Sequence, residues 1–491
     1  MTSNGQDTTR PRRTKTRQFL VYGAYGMVGL PVVGTVLLFA RMALGPINVT
    51  PLVRPFLPVT VISGGKKQPP VATLGLRRAY LEWNGLRDGF TSPLMLALHD
   101  IAVKGPDRTV VDTVHEAHVT LDTLALLHGG IALRAVELEG VNLALRRGKN
   151  GAVGFDFDTP PTVGASDSGS VDTAGLDRAV ISHAVVRMND QLTGTHWVAS
   201  PLDATLHMAS AQGKKGITGA VQFAVTGEEN PDCHIEVKAN SLPDTDGKGI
   251  VWHLATNAVK PASFSHISHD LQHIRTPITV TSDVSFLPAP GSEWLMPGAM
   301  ELHADAQSGK VTAAGARYFL NGGSANITLR LAHLKDGSTP AHIIVHNITA
   351  NLRNPDHPED EARGLHLAVS GQVDATDLIN PTTVSGQVTA DIPQVYFPDL
   401  VYYWPDKAAK GGKKWVTKNI TDGVAYNLHT TVSLSSKTGW NGVDVSNIAG
   451  GLDAKGLTIY WLRPISPLRG MDAHMDVDGL DKLSIKFDHG Y

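Results

Sequence analysis

Apolar and polar side chains alternate with a period of two along most of this chain. That pattern suits antiparallel β-sheet with one dry face and little else. "PLDATLHM" sets Leu202, Ala204, Leu206 and Met208 against Asp203, Thr205 and His207. Val221, Phe223 and Val225 share a side in "VQFAV", as do Ile235 and Val237 in "CHIEVKA". "ITVTSDVSF" aligns Ile278, Val280, Val284 and Phe286, and "VAYNLHTTVSL" aligns Val424, Tyr426, Leu428, Val432 and Leu434. In "IALRAVELEGVNLALRR" the parity flips near Ala135 and again at Gly140, as a bulge or bend would make it do. Helical patterns are few. "LDTLALLHGG" predicts a short helix, and "LDRAVISHAVV" fits a helix or a strand.

Composition agrees with many strands and tight turns. The 491 residues include 49 Gly and 29 Pro, with 18% charged and 6% aromatic residues. The net charge of −3 supplies no basic field for nucleic acid. Cys233 is the single cysteine, which excludes an intrachain disulfide, a cysteine-based zinc site and a CxxC redox pair.

The N-terminus carries a different signal. Arg10, Arg12, Arg13, Lys15 and Arg17 precede 22 uncharged residues from Phe19 to Ala40. At about 1.5 Å per residue a helix of that length spans roughly 33 Å, enough for a bilayer core. A cleaved signal peptide has a shorter apolar region and a small-residue cleavage site. The expectation is a retained single-pass anchor with its N-terminus in the cytoplasm and the bulk of the chain across the inner membrane, in the periplasm of a Gram-negative cell. Residues 1–18 are then a cytoplasmic basic tail, 19–40 the transmembrane helix, and 159–175 ("TPPTVGASDSGSVDTAG") a loop between two β regions, 41–158 and 176–491.

Motifs for chemistry are sparse. The best metal constellation is "SHISHDLQHI", whose His269 and His273 are four apart, but the glutamate of HExxH is missing. Asp472, Asp476 and Asp478 fail the spacing of a calcium loop. There is no GxSxG elbow, P-loop or dinucleotide-binding glycine fingerprint. No catalytic residue, cofactor or metal is expected, and the chain does not read as an enzyme.

One stretch breaks the alternation. "YYWPDKAAKGGKKWVTKNITDG", residues 402–423, holds two tryptophans and five lysines: Lys407, Lys410, Lys413, Lys414 and Lys418. The lysines could meet anionic headgroups. The plainer reading is a short amphipathic helix with Trp415, Val416 and Ile420 on its dry side and Gly423 ending it.

Continued as "YYWPDKAAKGGKKWVTKNITDGVAYNL", this stretch resembles the Trp-Pro … Trp-Val … Asn-Ile-x-x-Gly signature of the YhdP-type branch of the AsmA-like family. "LTIYWLRPISPLRGMDAHMDVDG" is similar to the segment that follows it there. "HEAHVTLDTLALLHGGIALRAVELEGVNLALRRGKNGAVGF" and "RMNDQLTGTHWVASPLDATL" are similar to the membrane-proximal part of that branch. The resemblance implies a mainly β fold: an N-terminal transmembrane helix, then a long, twisted, gutter-shaped antiparallel sheet with a few short helices. Residues 41–158 would be the membrane-proximal module, and 176–491 the central sheet with a helical insertion at 400–422. It implies an inner-membrane-anchored periplasmic protein that conducts phospholipid toward the outer membrane and supports outer-membrane lipid homeostasis. Relatives usually continue beyond the point corresponding to Tyr491, so a C-terminally truncated form is expected.

The residues expected to line the groove are Leu202, Leu206, Val221, Phe223, Val225, Ile278, Val280, Val284, Phe286, Leu428 and Val432. Their bland alternative is the core of ordinary β-sandwiches. The expected partners are phospholipid acyl chains, the inner membrane, and outer-membrane or periplasmic proteins, with no nucleic acid. Two other functions fit the same pattern: an anchored scaffold or assembly factor for envelope proteins, and an envelope glycan hydrolase with two unrecognised carboxylates.

Overall fold

The computed structural model describes residues 41, 45–53, 60–61, 72–83, 94–104, 110–122, 132–147, 153–155, 176–191, 194–228, 233–242, 248–265, 269–313, 315–334, 338–378, 380–405, 410–462, 464–480 and 482–489. The expected transmembrane helix, the 159–175 loop and the helix expected near "LDTLALLHGG" lie outside them. Among the described residues, no helix is long and apolar enough to cross a membrane. The chain divides into two compact units, the first within Met1–Leu138 and Thr162–Leu176, the second within Glu139–Pro161 and Asp177–Tyr491.

In the first unit, β1 (Ile47–Asn48) leads into a helical turn, α1 (Thr50–Val53), followed by β2 (Thr60–Val61), β3 (Ala72–Trp83), β4 (Leu94–Lys104) and β5 (Val110–Leu121). β3, β4 and β5 pair antiparallel in order, and β1 and β2 both lie against β3. Small side chains sit where the strands pack most tightly. Ala79 and Ala97 are fully buried, and Ala117 nearly so.

β6 (Leu133–Arg147) has residues in both units, and Gly140 within it takes φ +61°, at one of the two positions where the sequence parity flips. The second unit continues with β7 (Val153–Phe155), β8 (Arg178–Asp190), β9 (Thr195–Ala211), β10 (Lys214–Gly227), β11 (His234–Leu242), β12 (Ile250–Thr256), β13 (Ile278–Pro288) and β14 (Leu295–Ala306). Then come β15 (Gly309–Ala313), β16 (Ala316–Leu331), β17 (Ala341–Leu352), β18 (Leu365–Ala375) and β19 (Val384–Tyr396). Two short helices follow, α2 (Leu400–Tyr403) and α3 (Lys410–Asn419), and then β20 (Ile420–Ser436), β21 (Asp444–Ile459), β22 (Leu468–Asp478) and β23 (Leu483–His489). The ambiguous "LDRAVISHAVV" is therefore strand, in β8. Strands of up to 17 residues are long beside the usual ~5–6.

From β8 onward each strand pairs antiparallel with the next, except that β16 is long enough to pair with β15 through its first half and with β14 through its second. The order β16 to β23 is again sequential. Through β10–β14 the sheet curls until the start of β10 meets the start of β14. Lys215 donates its backbone N–H to the Glu293 carbonyl at 2.9 Å, and Lys215 bridges to Trp294. A Cβ on Gly216 would stand 2.4 Å from the Ile250 Cδ1 and 2.8 Å from the Leu295 Cδ1, so a larger residue at this crossing would require those side chains to shift. The Trp252 indole reaches across β11 and donates to the Ile217 carbonyl at 2.9 Å.

Candidate functional site

Residues directly opposite in an antiparallel ladder point to the same face of a sheet. In the second unit this links one row across thirteen strands. Ile181, Ala204, Val221, Ala239 and Leu254 lead to Ser282, then to Leu302, Ile327, Val345, Gly371, Val388, Val432 and Ile448. All the members are apolar except Ser282, whose Oγ is buried without a hydrogen-bond partner among the described residues. A second row on the same face runs Trp252, Val284, Met300, Leu329, Ile343, Val373, Gly386, Leu434 and Val445.

All eleven residues expected to line a groove are half-buried in the structure. Val221 and Val432 lie in the first row and Val284 in the second. Val280 stands opposite Ala304, Phe286 opposite Ile250, and Ile278 opposite Ala306. Phe223 stands opposite both Leu202 and Val237, and Leu206 opposite Gly219. Val225 packs instead against a small core of Trp197, Cys233 and Phe264, in which the two rings stack with centroids 5.8 Å apart. Among the described residues no second sheet packs onto this face, so these positions are not the core of a β-sandwich.

Leu428 lies in an enclosed part of the face. There a cavity of about 620 Å³ is walled almost wholly by apolar side chains, a volume typical of small-molecule sites. Its sheet side includes Ile392, Val395, Ala425, Leu428, Leu452, Ala454 and Met475, and its other side Tyr403, Trp404, Trp415 and Val416 of the α2–α3 segment. The sequence pattern groups Leu428 with Val424 and Tyr426. In the fold Asn427 adopts φ +52° and the register shifts between Tyr426 and His429, so Ala425 and Leu428 line the cavity. One left-handed residue reverses the alternation, as a bulge does.

The helical segment is positioned by polar contacts behind the apolar wall. Arg363 donates from Nε and Nη2 to the two carboxylate oxygens of buried Asp399, and its guanidinium lies 4.6 Å from the Tyr396 ring centroid. The Tyr403 hydroxyl donates to the Arg363 carbonyl at 2.7 Å. Burial, and secondarily the charge of Asp399, push the Tyr403 phenol well above its ordinary value, so it stays neutral beside the cavity. On α3, Lys413 Nζ donates to the Trp404 carbonyl at 2.6 Å, and Asn419 Nδ2 donates to the Trp415 carbonyl at 2.9 Å, satisfying acceptors at the helix end. The strand β20 begins at Ile420, immediately after α3.

The opposite face is wet and carries cross-strand histidine pairs. His253 meets Asp283 at 2.6 Å, His342 meets Asp374 at 2.6 Å, and His429 meets Asp391 at 2.5 Å. His474 meets Asp453 at 2.7 Å. Each pair is in direct ladder register. Of the histidines weighed as metal ligands, His269 and His273 fall in a 3₁₀ turn, while His266 and the side chains of His269 and Asp270 lie outside the described residues. No group of three potential metal ligands converges among the described residues.

Comparison of the chain with models of known protein families, with curated proteins and with solved structures finds no match to any of them.

The cavity could not be assembled from the strand pattern. Phe397 lines it from a turn, while Leu457 and Ile459 at the end of β21 and Trp461 just past it, some sixty residues further along, close it. The available signals were the cluster of aromatics at 396–404 and the exception to alternation at 402–423.

Proposed function

We propose that this protein binds the acyl chains of phospholipids on the apolar face of its second unit and passes them along that face. In this reading the sheet is a gutter, anchored in the inner membrane by the N-terminal segment and carrying lipid through the periplasm toward the outer membrane. The observation that carries it is the 620 Å³ apolar cavity, which lies on the same face as the two apolar rows. Exposed apolar surface of that extent is unfavourable unless a ligand or membrane covers it. Transfer of a sixteen-carbon chain into water costs about 13 kcal/mol at ~0.8 kcal/mol per CH₂. That is a factor of roughly 10⁹ against free passage, which a continuous apolar lane removes. No nucleophile, acid or cofactor is needed for such a task. The family resemblance in the sequence points the same way.

The test is photo-crosslinking of the full chain to phospholipid in cells, with recovered lipid identified by mass spectrometry. Val280→Glu with Phe286→Glu places two carboxylates on the apolar face at half-exposed positions that leave the fold intact. Crosslinking should disappear. Undiminished crosslinking to the folded variant rejects the conduit. Lipid-free protein that still captures envelope proteins would favour the scaffold reading.

A further inference from the structure

A second surface adjoins the cavity, and its chemistry differs from that of the apolar face. The segment between β21 and β22 carries Trp461, Leu462 and Ile465, and β22 opens with Leu468; they are exposed by 68%, 61%, 63% and 44%. It meets α3 through the indoles of Trp461 and Trp415, edge to face with centroids 5.9 Å apart. Large apolar side chains held this far into water are uncommon unless something covers them. Charge indicates what covers them. Among the described residues, the segment and the start of β22 carry Arg469 and no carboxylate, and α3 carries Lys413, Lys414 and Lys418 and no carboxylate. Tryptophan and aliphatic side chains set among basic residues of one sign match the interface of an anionic bilayer, where the rings enter the headgroup layer and the cations meet phosphate.

We infer that the 461–468 segment and the lysine face of α3 form a docking surface for an anionic lipid bilayer. Trp415 and Trp461 also line the cavity, so docking places the cavity beside the leaflet. The surface rests on its own exposure and charge, and its test is independent of whether acyl chains occupy the cavity.

The experiment uses the full chain reconstituted in phosphatidylcholine vesicles, with an environment-sensitive nitrobenzoxadiazole dye on Leu462→Cys; Cys233 is buried and does not compete for label. Second vesicles are added, either phosphatidylcholine alone or with about a third phosphatidylglycerol. The expected result is a blue-shifted, brighter emission with the anionic vesicles only. Lys414→Gln with Lys418→Gln should weaken that response roughly 25-fold, at about fivefold per lysine. Ile465→Ser with Leu468→Ser, neither of which lines the cavity, should abolish it. Equal response to both vesicle types, or none to either, overturns the inference. So does a blue shift that needs only a higher protein concentration, which would show a second copy as the cover. Mass spectrometry of lipid retained by the same variants separates the two claims, because loss of docking with lipid retained leaves the conduit standing.

Discussion

Arg363 and Asp399 form a two-pronged ion pair, and the carboxylate is almost fully buried, at 4% side-chain exposure. The pair ties the 361–363 turn to the 397–403 segment that leads into the roof of the apolar cavity. Both charges have a defined partner, so the pair fixes geometry at the point where the chain leaves the sheet.

Removing one partner should therefore be costly. Asp399→Ala leaves the guanidinium without its partner and is expected to destabilise the segment by about 3–5 kcal/mol. Hydrogen exchange should accelerate in residues 397–405 and 410–419 well before it does in β8–β14. Uniform exchange across the second unit would contradict this placement of the pair.

The cavity is predicted to be sensitive to charge at Leu428. Leu428→Glu puts a carboxylate into an apolar wall from a half-buried position. Binding of a fluorescent fatty acid should weaken by about 2 kcal/mol or more, roughly thirtyfold, with little loss of melting temperature. Leu428→Met, which keeps volume and polarity, should bind nearly as the parent does.

Gly219 adopts φ +141° in β10, and a Cβ there would stand 1.9 Å from the Thr205 carbonyl oxygen. Gly219→Val should cost about 2 kcal/mol or more, because both the backbone conformation and the contact with β9 must change. Thermal unfolding checks the cost. A variant as stable as the parent would show that β9 and β10 are not in the register described.

A pH dependence follows from His474 and Asp453. The hydrogen bond that His474 donates to Asp453, and the nearby Asp476 charge, hold His474 above its ordinary value of 6.5. The bond to His474, with help from Asn427, holds Asp453 below its ordinary value. The pair thus favours the fold fully below pH about 6.5, and this gain is lost as pH rises through the raised His474 value. On the acid side it is lost as pH falls through the lowered Asp453 value. The stability difference between the parent and His474→Asn should peak at mildly acidic pH and vanish once pH has risen past the raised His474 value. A pH-independent difference would mean that His474 does not titrate with this partner.

Alternation was legible because strand side chains project to opposite faces whatever the fold around them. Ile278, Val280, Val284 and Phe286 could be assigned to one side before any neighbour was known, and they share that side in the sheet. Leu428 was assigned to the dry side with Val432 and Leu434, which share it, but also with Val424 and Tyr426, which do not, since the left-handed turn at Asn427 has no signature in the apolar pattern. Trp415 and Val416 face the cavity from α3, as the dry side of a short helix was expected to, but Ile420 already belongs to β20 and the helix ends at Asn419 rather than at Gly423. What that side covers was invisible, because it depends on Leu452, Met475 and Phe487 arriving from strands far along the chain.

The sequence alone thus determined the secondary structure type, the dry face of most strands and the amphipathic α3, all of which arise from interactions between near neighbours. Only the tertiary structure decided that, among the described residues, no second sheet covers the dry face, that β10 curls to meet β14, and that a cavity forms beneath α3. Those outcomes depend on ladder register summed over many strands, where one bulge redirects everything paired beyond it.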